Sequence, residues 1–287
     1  MGSPQYKRAM TRIAFRKMHG LGNDFVVLDQ RRDPHPIDAA AARAIGDRHT
    51  GIGFDQLLLL EPPRDARAQV FMRILNPDGS EAEACGNGTR CVASLIAAET
   101  GLNTLTIETA AGLLPATIDG AGIATVDMGE PRCDWRDIPL ARAMDTLHVD
   151  LRRGPLADAV CTNMGNPHAT FFVDDAEAVD LAVLGPGLEH DKLFPQRANI
   201  GVAAVIDRRT IRFRVWERGA GITRACGSGA CAAMVAAHRR GLVDGRVTVR
   251  LDGGDLDIAW PGEGLVRMTG LVALSFEGTF DTALIGG

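Results

Sequence analysis

Two short blocks of the chain place a cysteine in the same local setting. Residues 84–88 read Ala-Cys-Gly-Asn-Gly, and residues 225–229 read Ala-Cys-Gly-Ser-Gly. Cys85 and Cys226 are each followed by an alanine-rich stretch that is apolar on nearly every face, which predicts a buried helix. A helix N-terminus has unsatisfied N–H groups and a partial positive charge, so it lowers the pKa of a thiol and binds a carboxylate. The pattern therefore predicts two thiols, each beside an anion-binding helix start.

Two thiols in equivalent positions suit proton transfer at one carbon atom. If the helix starts hold the α-carboxylate of an amino acid between them, a thiolate on one face can remove the α-proton and a thiol on the other can return one, which inverts the centre. The amides would stabilise the carboxylate as it gains enolate character. Of the three lysines, Lys7, Lys17 and Lys192, none stands in a motif that suits a pyridoxal phosphate Schiff base. We therefore predict no cofactor.

The internal similarity extends well beyond the cysteine blocks, in the same order and at a nearly constant spacing. Polar residues recur beside apolar runs, and the matched pairs are Asn23 with Asn166, Gln56 with Asn199, and Asn76 with Glu217. Repetition at a fixed period of about 140 residues predicts two related domains. The turn-prone stretch at Glu130-Pro131 is the predicted boundary between them.

Each half is predicted to be a strand-rich layer around one buried helix. The helical segments are 86–99 and 227–240, and each ends beside a glycine suited to a helix C-terminus. Short alternating runs at 104–109 and 246–251 follow them and predict strands. Strand runs and helices do not alternate regularly, which argues against a doubly wound parallel sheet.

The recurring polar residues have the chemistry to bind a zwitterion. The amides of Asn23, Asn76, Asn166 and Asn199 can orient it without adding charge. Glu217 could bind an ammonium group, and Arg218 could bind a second carboxylate through two parallel hydrogen bonds. His168, close to Asn166, could pair with Glu217 or position a thiol.

Composition excludes several classes of protein. The chain has 287 residues, 46% of them hydrophobic, and its net charge of −5 gives no basic excess for nucleic acid. No apolar run reaches the roughly 18 residues that span a bilayer, and the first residues lack the apolar region of a signal peptide. Six cysteines in a chain of this size do not form a disulfide framework. We therefore expect a cytoplasmic protein with a small-molecule substrate.

The other four cysteines are predicted to have no chemical role. Cys91 and Cys231 fall inside the apolar helices and are expected to be buried, and Cys133 and Cys161 belong to no motif. The spacing of Cys85 and Cys91 is wider than that of usual zinc ligand pairs, so no metal site is predicted.

Seven blocks together resemble the diaminopimelate epimerases, over residues 18 to about 275. The blocks are Met-His-Gly-Leu-Gly-Asn-Asp-Phe at 18–25, Gly-Phe-Asp-Gln at 53–56, Asn-Pro-Asp-Gly-Ser at 76–80, Ala-Cys-Gly-Asn-Gly-Thr-Arg-Cys at 84–91, Gly-Asn-Pro-His at 165–168, Glu-Arg-Gly at 217–219 and Ala-Cys-Gly-Ser-Gly-Ala-Cys at 225–231. The resemblance implies a cofactor-independent, two-base epimerase that interconverts LL- and meso-2,6-diaminopimelate for lysine and cell-wall precursor synthesis. It also implies a homodimer.

The resemblance further implies an α+β fold of two pseudo-symmetric domains, each a mostly antiparallel sheet wrapped around a central helix. The first domain would comprise residues 1–130 together with about 276–287, and the second would comprise 131–275. Cys85 and Cys226 would be the acid/base pair, tuned by His168 and Glu217. The substrate would contact Asn23, Gln56, Asn76, Gly86, Asn87, Asn166, Asn199, Glu217, Arg218, Gly227 and Ser228.

The chain departs from the family pattern at Ile222, where many members carry an acidic residue, and at Arg224. Neither replaces an implied site residue.

Two alternatives to this function remain. A proline-type racemase uses the same two-thiol logic, although Arg218 and the asparagines favour a substrate with a second charged end. A non-catalytic amino-acid-binding protein or a thiol redox protein would not exchange the α-proton with solvent.

Overall fold

A computed structural model of the chain describes residues 12–83, 85–119 and 123–286. Ala84 of the first cysteine block, and residues 1–11, 120–122 and 287 of the expected first domain, lie outside the described residues. The helices are α1 (Ala39–Gly46), α2 (Gly86–Thr100), α3 (Leu181–Glu189) and α4 (Gly227–Arg239), and a 3₁₀ turn covers Thr282–Ile285. The first eight strands are β1 (Arg12–Gly20), β2 (Asn23–Asp29), β3 (Gln56–Glu61), β4 (Val70–Leu75), β5 (Glu81–Ala82), β6 (Thr104–Thr109), β7 (Gly112–Ile118) and β8 (Ile123–Asp127). The remaining strands are β9 (Val160–Asn163), β10 (Pro167–Phe172), β11 (Asn199–Asp207), β12 (Thr210–Glu217), β13 (Gly221–Ile222), β14 (Arg246–Leu251), β15 (Gly254–Ala259), β16 (Arg267–Leu271) and β17 (Ala273–Asp281).

The strands form one mixed sheet that is built twice over. In the first half the hydrogen-bonded order is β1-β2-β3-β4-β6-β7-β8, and in the second it is β9-β10-β11-β12-β14-β15-β16. The parallel pairs occupy matched places, β2 with β3 and β10 with β11, then β4 with β6 and β12 with β14. The other pairs are antiparallel. The predicted pseudo-symmetric, mostly antiparallel α+β fold is confirmed.

A central helix fills each half, as predicted. The apolar face of α2 packs Cys91, Val92 and Ile96 into the core between the strands of the first half. Ten of the thirteen residues of α4 are buried, and half of those ten are alanines, so the second half of the sheet lies close around it. Each observed helix differs from its predicted end by one residue. Cys91 and Cys231 are fully buried, as expected for apolar side chains.

Two peripheral helices, α1 and α3, were not predicted. Each begins after an aspartate whose side chain accepts a hydrogen bond from the helix backbone, Asp38 for α1 and Asp180 for α3. The sequence of α3 contains Pro186 between two glycines, which obscures the helical pattern. The two caps recur at the period of the repeat, and this recurrence was the signal that could have identified both helices.

The two halves are joined at two places in the sheet. β8 pairs with β16 in an antiparallel ladder, which makes the two sheets continuous. β17 pairs with β1 along nearly its whole length, starting at Ala273, so the last strand returns to the first. The 3₁₀ turn at Thr282–Ile285 then packs beside α1.

Among the described residues, every helix is too short or too polar to cross a membrane.

Gly101 ends α2 in the left-handed conformation, with φ of 73°, and donates its N–H to the Ala97 carbonyl. A β-carbon there meets no neighbour, so the cost of a substitution comes from backbone conformation alone. We expect Gly101→Ala to lower the free energy of unfolding by about 1 kcal/mol in urea titrations. Asn103→Ala, at an exposed position nearby, should change it by less than about 0.5 kcal/mol. Equal effects of the two variants would contradict this reading of the helix end.

Candidate active site

Both thiols lie at helix N-termini, in matched conformations. Cys85 is the N-cap of α2, and its Sγ accepts a hydrogen bond from the Gly88 N–H at 3.3 Å. Cys226 is the N-cap of α4, and its Sγ accepts from the Gly229 N–H at 3.4 Å. In each helix the two N–H groups that follow the cysteine have no partner within the helix. The predicted repetition of one thiol and one anion-binding helix start is therefore present in the folded chain.

The two helix starts meet at the junction of the halves. The Asn87 side chain, in the first turn of α2, donates from Nδ2 to the Ala225 carbonyl at 3.3 Å, immediately before Cys226. The Met268 side chain packs between the two glycines that open the helices. A β-carbon would lie 2.7 Å from it at Gly86 and 2.9 Å from it at Gly227. Glycine at both positions therefore lets this methionine and the two helices approach closely.

A hydrogen-bonded chain of side chains leads from Cys226 into the second half. The Cys226 Sγ lies 3.6 Å from the Ser228 Oγ, which lies 3.2 Å from Nε2 of His168. The same Nε2 lies 2.7 Å from Oδ1 of Asn166. Burial, with the nearby Arg218 charge, lowers the pKa of His168 to about 3. His168 is therefore a neutral imidazole at physiological pH, and Nε2 carries the proton because the amide oxygen can only accept.

Glu217, the last residue of β12, stands next to Cys226. Thr223 donates its hydroxyl to the Glu217 carboxylate, and Cys226 also hydrogen-bonds to it. Burial raises the pKa of Glu217, and the negative charge of Asp55 acts in the same direction, whereas the two hydrogen bonds oppose them. A carboxylate with a raised pKa beside a thiol is a suitable partner for exchanging a proton with it.

The expectation that the helix starts lower the pKa of the two thiols is wrong. Burial raises the pKa of Cys85 to about 12 and raises that of Cys226 well above its usual value. The N–H groups of Gly88 and Gly229 do act in the predicted direction, but removal from water has the larger effect. Both thiols are therefore neutral at physiological pH until a ligand changes their surroundings.

In the first half, a second chain of hydrogen bonds leads away from the helix start. The Asn87 Nδ2 also donates to Oδ1 of Asn23 at 3.1 Å, and Nδ2 of Asn23 donates to the Asp55 carboxylate at 3.0 Å. Burial raises the pKa of Asp55, and the hydrogen bond from Asn23 opposes the shift. Asn23 and Asn87, both predicted site residues, are thus in direct contact.

Charged side chains support this second chain from behind. Arg48 Nη2 lies 2.7 Å from Asp24 Oδ1 and 2.8 Å from Asp55 Oδ1, and Lys17 hydrogen-bonds to Asp24 and to the Gly53 carbonyl. Burial alone would raise the pKa of Asp24, but its hydrogen bonds from Arg48 and Lys17 lower it. The amino group of Lys17 therefore serves to hold Asp24 and the Gly53 carbonyl in this network.

The remaining predicted residues form repeat-related pairs at one end of the two sheets. Gln56 begins β3 and Asn76 follows β4, so the antiparallel pairing brings them together, with Gln56 Nε2 at 3.2 Å from Asn76 Oδ1. Asn199 begins β11 beside the end of β12, and its Oδ1 accepts from the Arg218 N–H at 2.9 Å. The Arg218 guanidinium donates to the Gln196 carbonyl at 3.0 Å.

Several residues that shape the site were not singled out from the sequence. Asp55 contacts Asn23, and Thr223 contacts Glu217. Met268 contacts the two glycines that open the helices, and Arg90 contacts Asn87. Asp55 and Arg90 lie inside two of the blocks that resemble the diaminopimelate epimerases, 53–56 and 84–91, which was a usable signal. Met268 lies in a strand with an ordinary alternating pattern, and nothing in the sequence indicated its place at the site. In the described part of the chain, no three His, Cys, Asp or Glu side chains are grouped so as to hold a metal ion.

Comparison with known proteins identifies the chain's relatives. The model of the diaminopimelate epimerase family matches residues 15–133 and 160–274. The diaminopimelate epimerase of Rhodospirillum centenum is 64% identical over 273 residues, covering 95% of this chain and 94% of that protein. That of Acidiphilium cryptum is 57% identical over 271 residues, covering 94% and 97%. The crystal structure of a hydroxyproline epimerase from Agrobacterium vitis has a TM-score of 0.69 at 15% identity, covering 97% of this chain and 94% of that one, and it shares the fold. Paired thiols at facing helix starts, the family model and relatives of this similarity together show that the chain belongs to the diaminopimelate epimerase family.

Proposed function

We propose that this protein is an epimerase that interconverts LL- and meso-2,6-diaminopimelate, the reaction that serves lysine and cell-wall precursor synthesis. The observation that carries the proposal is the pair of thiols, Cys85 and Cys226, each capping a helix whose start faces the other across the junction of the halves. The names of the chain's relatives support the choice of substrate.

The reaction needs no more than two sulfur atoms and the helix starts. One cysteine, as thiolate, removes the α-proton from one face of the substrate carbon, and the thiol of the other cysteine delivers a proton to the opposite face. The N–H groups of Gly86 and Asn87 on α2, and of Gly227 and Ser228 on α4, would hold the α-carboxylate as it gains negative charge. No cofactor is required, because this stabilisation comes from the backbone.

Glu217 and His168 act on Cys226 by different means in this mechanism. Glu217, whose pKa is raised by burial, exchanges a proton with the adjacent thiol and thereby produces the thiolate. His168 stays neutral, since burial lowers its pKa to about 3, and it orients the Ser228 hydroxyl toward Cys226 and the Asn166 amide toward the substrate. Arg218 would bind the distal carboxylate through its guanidinium, in place of its present contact with a carbonyl.

The polar pairs would bind the rest of the substrate. The amides proposed to do so already hydrogen-bond to neighbouring polar groups, and they are those of Asn23, Gln56, Asn76, Asn166 and Asn199. We further propose that residues 1–130 with about 276–287 act as one domain and 131–275 as the other, closing on the substrate between them.

A cytoplasmic location accords with six cysteines that are all free thiols.

Replacing either thiol should stop α-proton exchange. In heavy water without added cofactor, the wild-type protein should incorporate deuterium at the α-carbon of diaminopimelate, and Cys85→Ala and Cys226→Ala should each lower epimerisation by at least about 10³-fold. Mass spectrometry of the recovered substrate measures the exchange. Cys133→Ala, which changes a half-buried thiol outside the site, should retain wild-type activity.

Proline serves as the second substrate in the same experiment. Exchange into proline and not into diaminopimelate would replace the proposed substrate with that of a proline-type racemase. Full activity in either cysteine variant would exclude the two-base mechanism. Absence of exchange into both amino acids would favour a binding protein.

The raised pKa of Cys85 predicts its reactivity. Because burial raises this pKa to about 12, the thiolate fraction of the unliganded protein should increase about tenfold per pH unit throughout pH 7–10. We expect the rate of alkylation of Cys85 by iodoacetamide, followed by peptide mass spectrometry, to rise over that whole range. A rate that levels off by about pH 10, as for a free cysteine with a pKa of about 8.5, or at a lower pH would mean that burial does not dominate the pKa of Cys85.

We also propose a homodimer, with the exposed apolar side chains of the last two strands at its interface. Leu271, Leu274 and Phe276 are each about half exposed there, and the Phe276 ring packs edge-on against Phe15 with centroids 5.9 Å apart. Large apolar side chains grouped on one surface are typical of contact with a partner, and a second copy of the chain would bury them.

A charge in this surface should separate the copies. Phe276→Glu is expected to halve the mass measured by sedimentation, whereas Val183→Glu, on the exposed face of α3 in the other half, should leave it unchanged. A wild-type protein that sediments as a monomer at micromolar concentration would rule out the dimer.

A further inference from the structure

The most unusual charged group in the described structure is Arg90, in the second turn of α2. Its side chain is fully buried, and it belongs to the largest buried side chains of the protein. Nη2 donates to the Asn87 Oδ1 at 2.6 Å and Nη1 donates to the Leu271 carbonyl at 3.2 Å, while Nε has no partner. In the described residues no carboxylate lies within 4.0 Å of it. A buried cation without an anion costs several kcal/mol, so the fold retains it at a loss of stability.

The surrounding backbone makes room for this guanidinium at two glycines. A β-carbon at Gly270 would lie 2.1 Å from Nη1, and one at Gly20 would lie 3.1 Å from Nη2. Gly20 ends β1 and Gly270 lies in β16, so the arginine is enclosed where strands of both halves meet. The position is therefore built around the side chain.

The contact with Asn87 fixes which way that amide points. A guanidinium only donates, so it must face the amide oxygen, and Nδ2 must then face the Asn23 Oδ1 and the Ala225 carbonyl. One of these acceptors belongs to the substrate-binding set of the first half, and the other precedes Cys226 in the second. Arg90 thereby sets the direction of every hydrogen bond in the bridge between the helix starts.

The guanidinium also lies close enough to the thiols to influence their charge. Burial raises the pKa of Cys85, and the charge of Arg90 acts in the opposite direction. The charge of Arg90 also acts to lower the pKa of Cys91 and Cys231. Both of these thiols are fully buried inside helices and have no part in the proposed reaction. Cys85 is the partly exposed thiol of the three, and it is the one that must carry negative charge during turnover.

We propose that Arg90 is a positioning residue of the two-thiol site, which locks the Asn87 amide between the two helix starts and supplies the countercharge for the Cys85 thiolate. This inference rests on the proposed function. Arg90, which has no carboxylate partner among the described residues, gains an anion when Cys85 is deprotonated. The stability that its burial costs while Cys85 is a thiol is therefore partly recovered when the thiolate forms.

Arg90→Met removes the charge and keeps the length of the side chain. We expect the rate of Cys85 alkylation by iodoacetamide to fall about tenfold at each pH from 7 to 10, equivalent to a rise of one pKa unit. Alkylation of Cys133, which is also partly exposed, should not change. For epimerisation, kcat should fall at least tenfold, with a smaller change in KM.

Arg239→Met is the matched control. Arg239 is a partly buried arginine of α4 that donates to the Cys161 carbonyl at 3.3 Å and to the Thr146 hydroxyl at 3.1 Å, and its charge lowers the pKa of Cys133 against the effect of burial. This variant should slow the alkylation of Cys133 and leave Cys85 and kcat as in the wild type. A general loosening of the structure would change both thiols together in either variant.

If Arg90→Met does not fold, Asn87→Asp performs the same test. It places a carboxylate against Arg90, which neutralises the charge and removes the donors to Asn23 and Ala225, so Cys85 alkylation and kcat should again fall. Unchanged Cys85 alkylation and unchanged kcat in a folded variant would overturn the proposal. Alkylation does not require turnover, so a wild-type protein that exchanges no deuterium contradicts the proposed function while leaving the effect of Arg90 on Cys85 measurable.

Discussion

The site depends on one constraint, which is that two helix N-termini must approach each other closely inside the protein. Each start brings N–H groups that attract negative charge, and burial makes both that attraction and the cost of the thiolate larger. The result is a pair of thiols that are neutral at physiological pH, because burial raises the pKa of both, that of Cys85 to about 12. The same environment would stabilise a substrate carboxylate during proton removal.

The close approach is possible because the side chains at the contact are small or flexible. Gly86 and Gly227 leave space for Met268, and the alanines of α4 let the second sheet wrap tightly around it. Asn87 then joins the helix starts by hydrogen bonds rather than by packing alone. Exact repetition would have placed asparagine in both helices, yet the second half has Ser228, which contacts His168. The two faces of the site are therefore related in backbone and different in chemistry.

Much of this arrangement could be predicted from the sequence, because duplication makes local patterns appear twice. The two cysteine blocks, the central helices and strands such as β6 and β14 were identified within a residue or two. The pKa of the thiols could not be predicted, since it depends on how completely the rest of the fold excludes water. Met268 and α3 were also missed. Contacts between the halves leave no local pattern, and Pro186 conceals the helix around it.

The pairing of β17 with β1 bears on how the chain acquires its structure. Arg12 and Thr279 hydrogen-bond although 267 residues separate them. During synthesis, the open side of β1 stays without this neighbour until β17, the last of the described strands, has been made. Long-range pairing of this kind slows folding, and a bare strand edge is prone to associate with other chains. Strand β17 thus completes the half that was translated first, and a product that ended before β17 would have an unprotected edge.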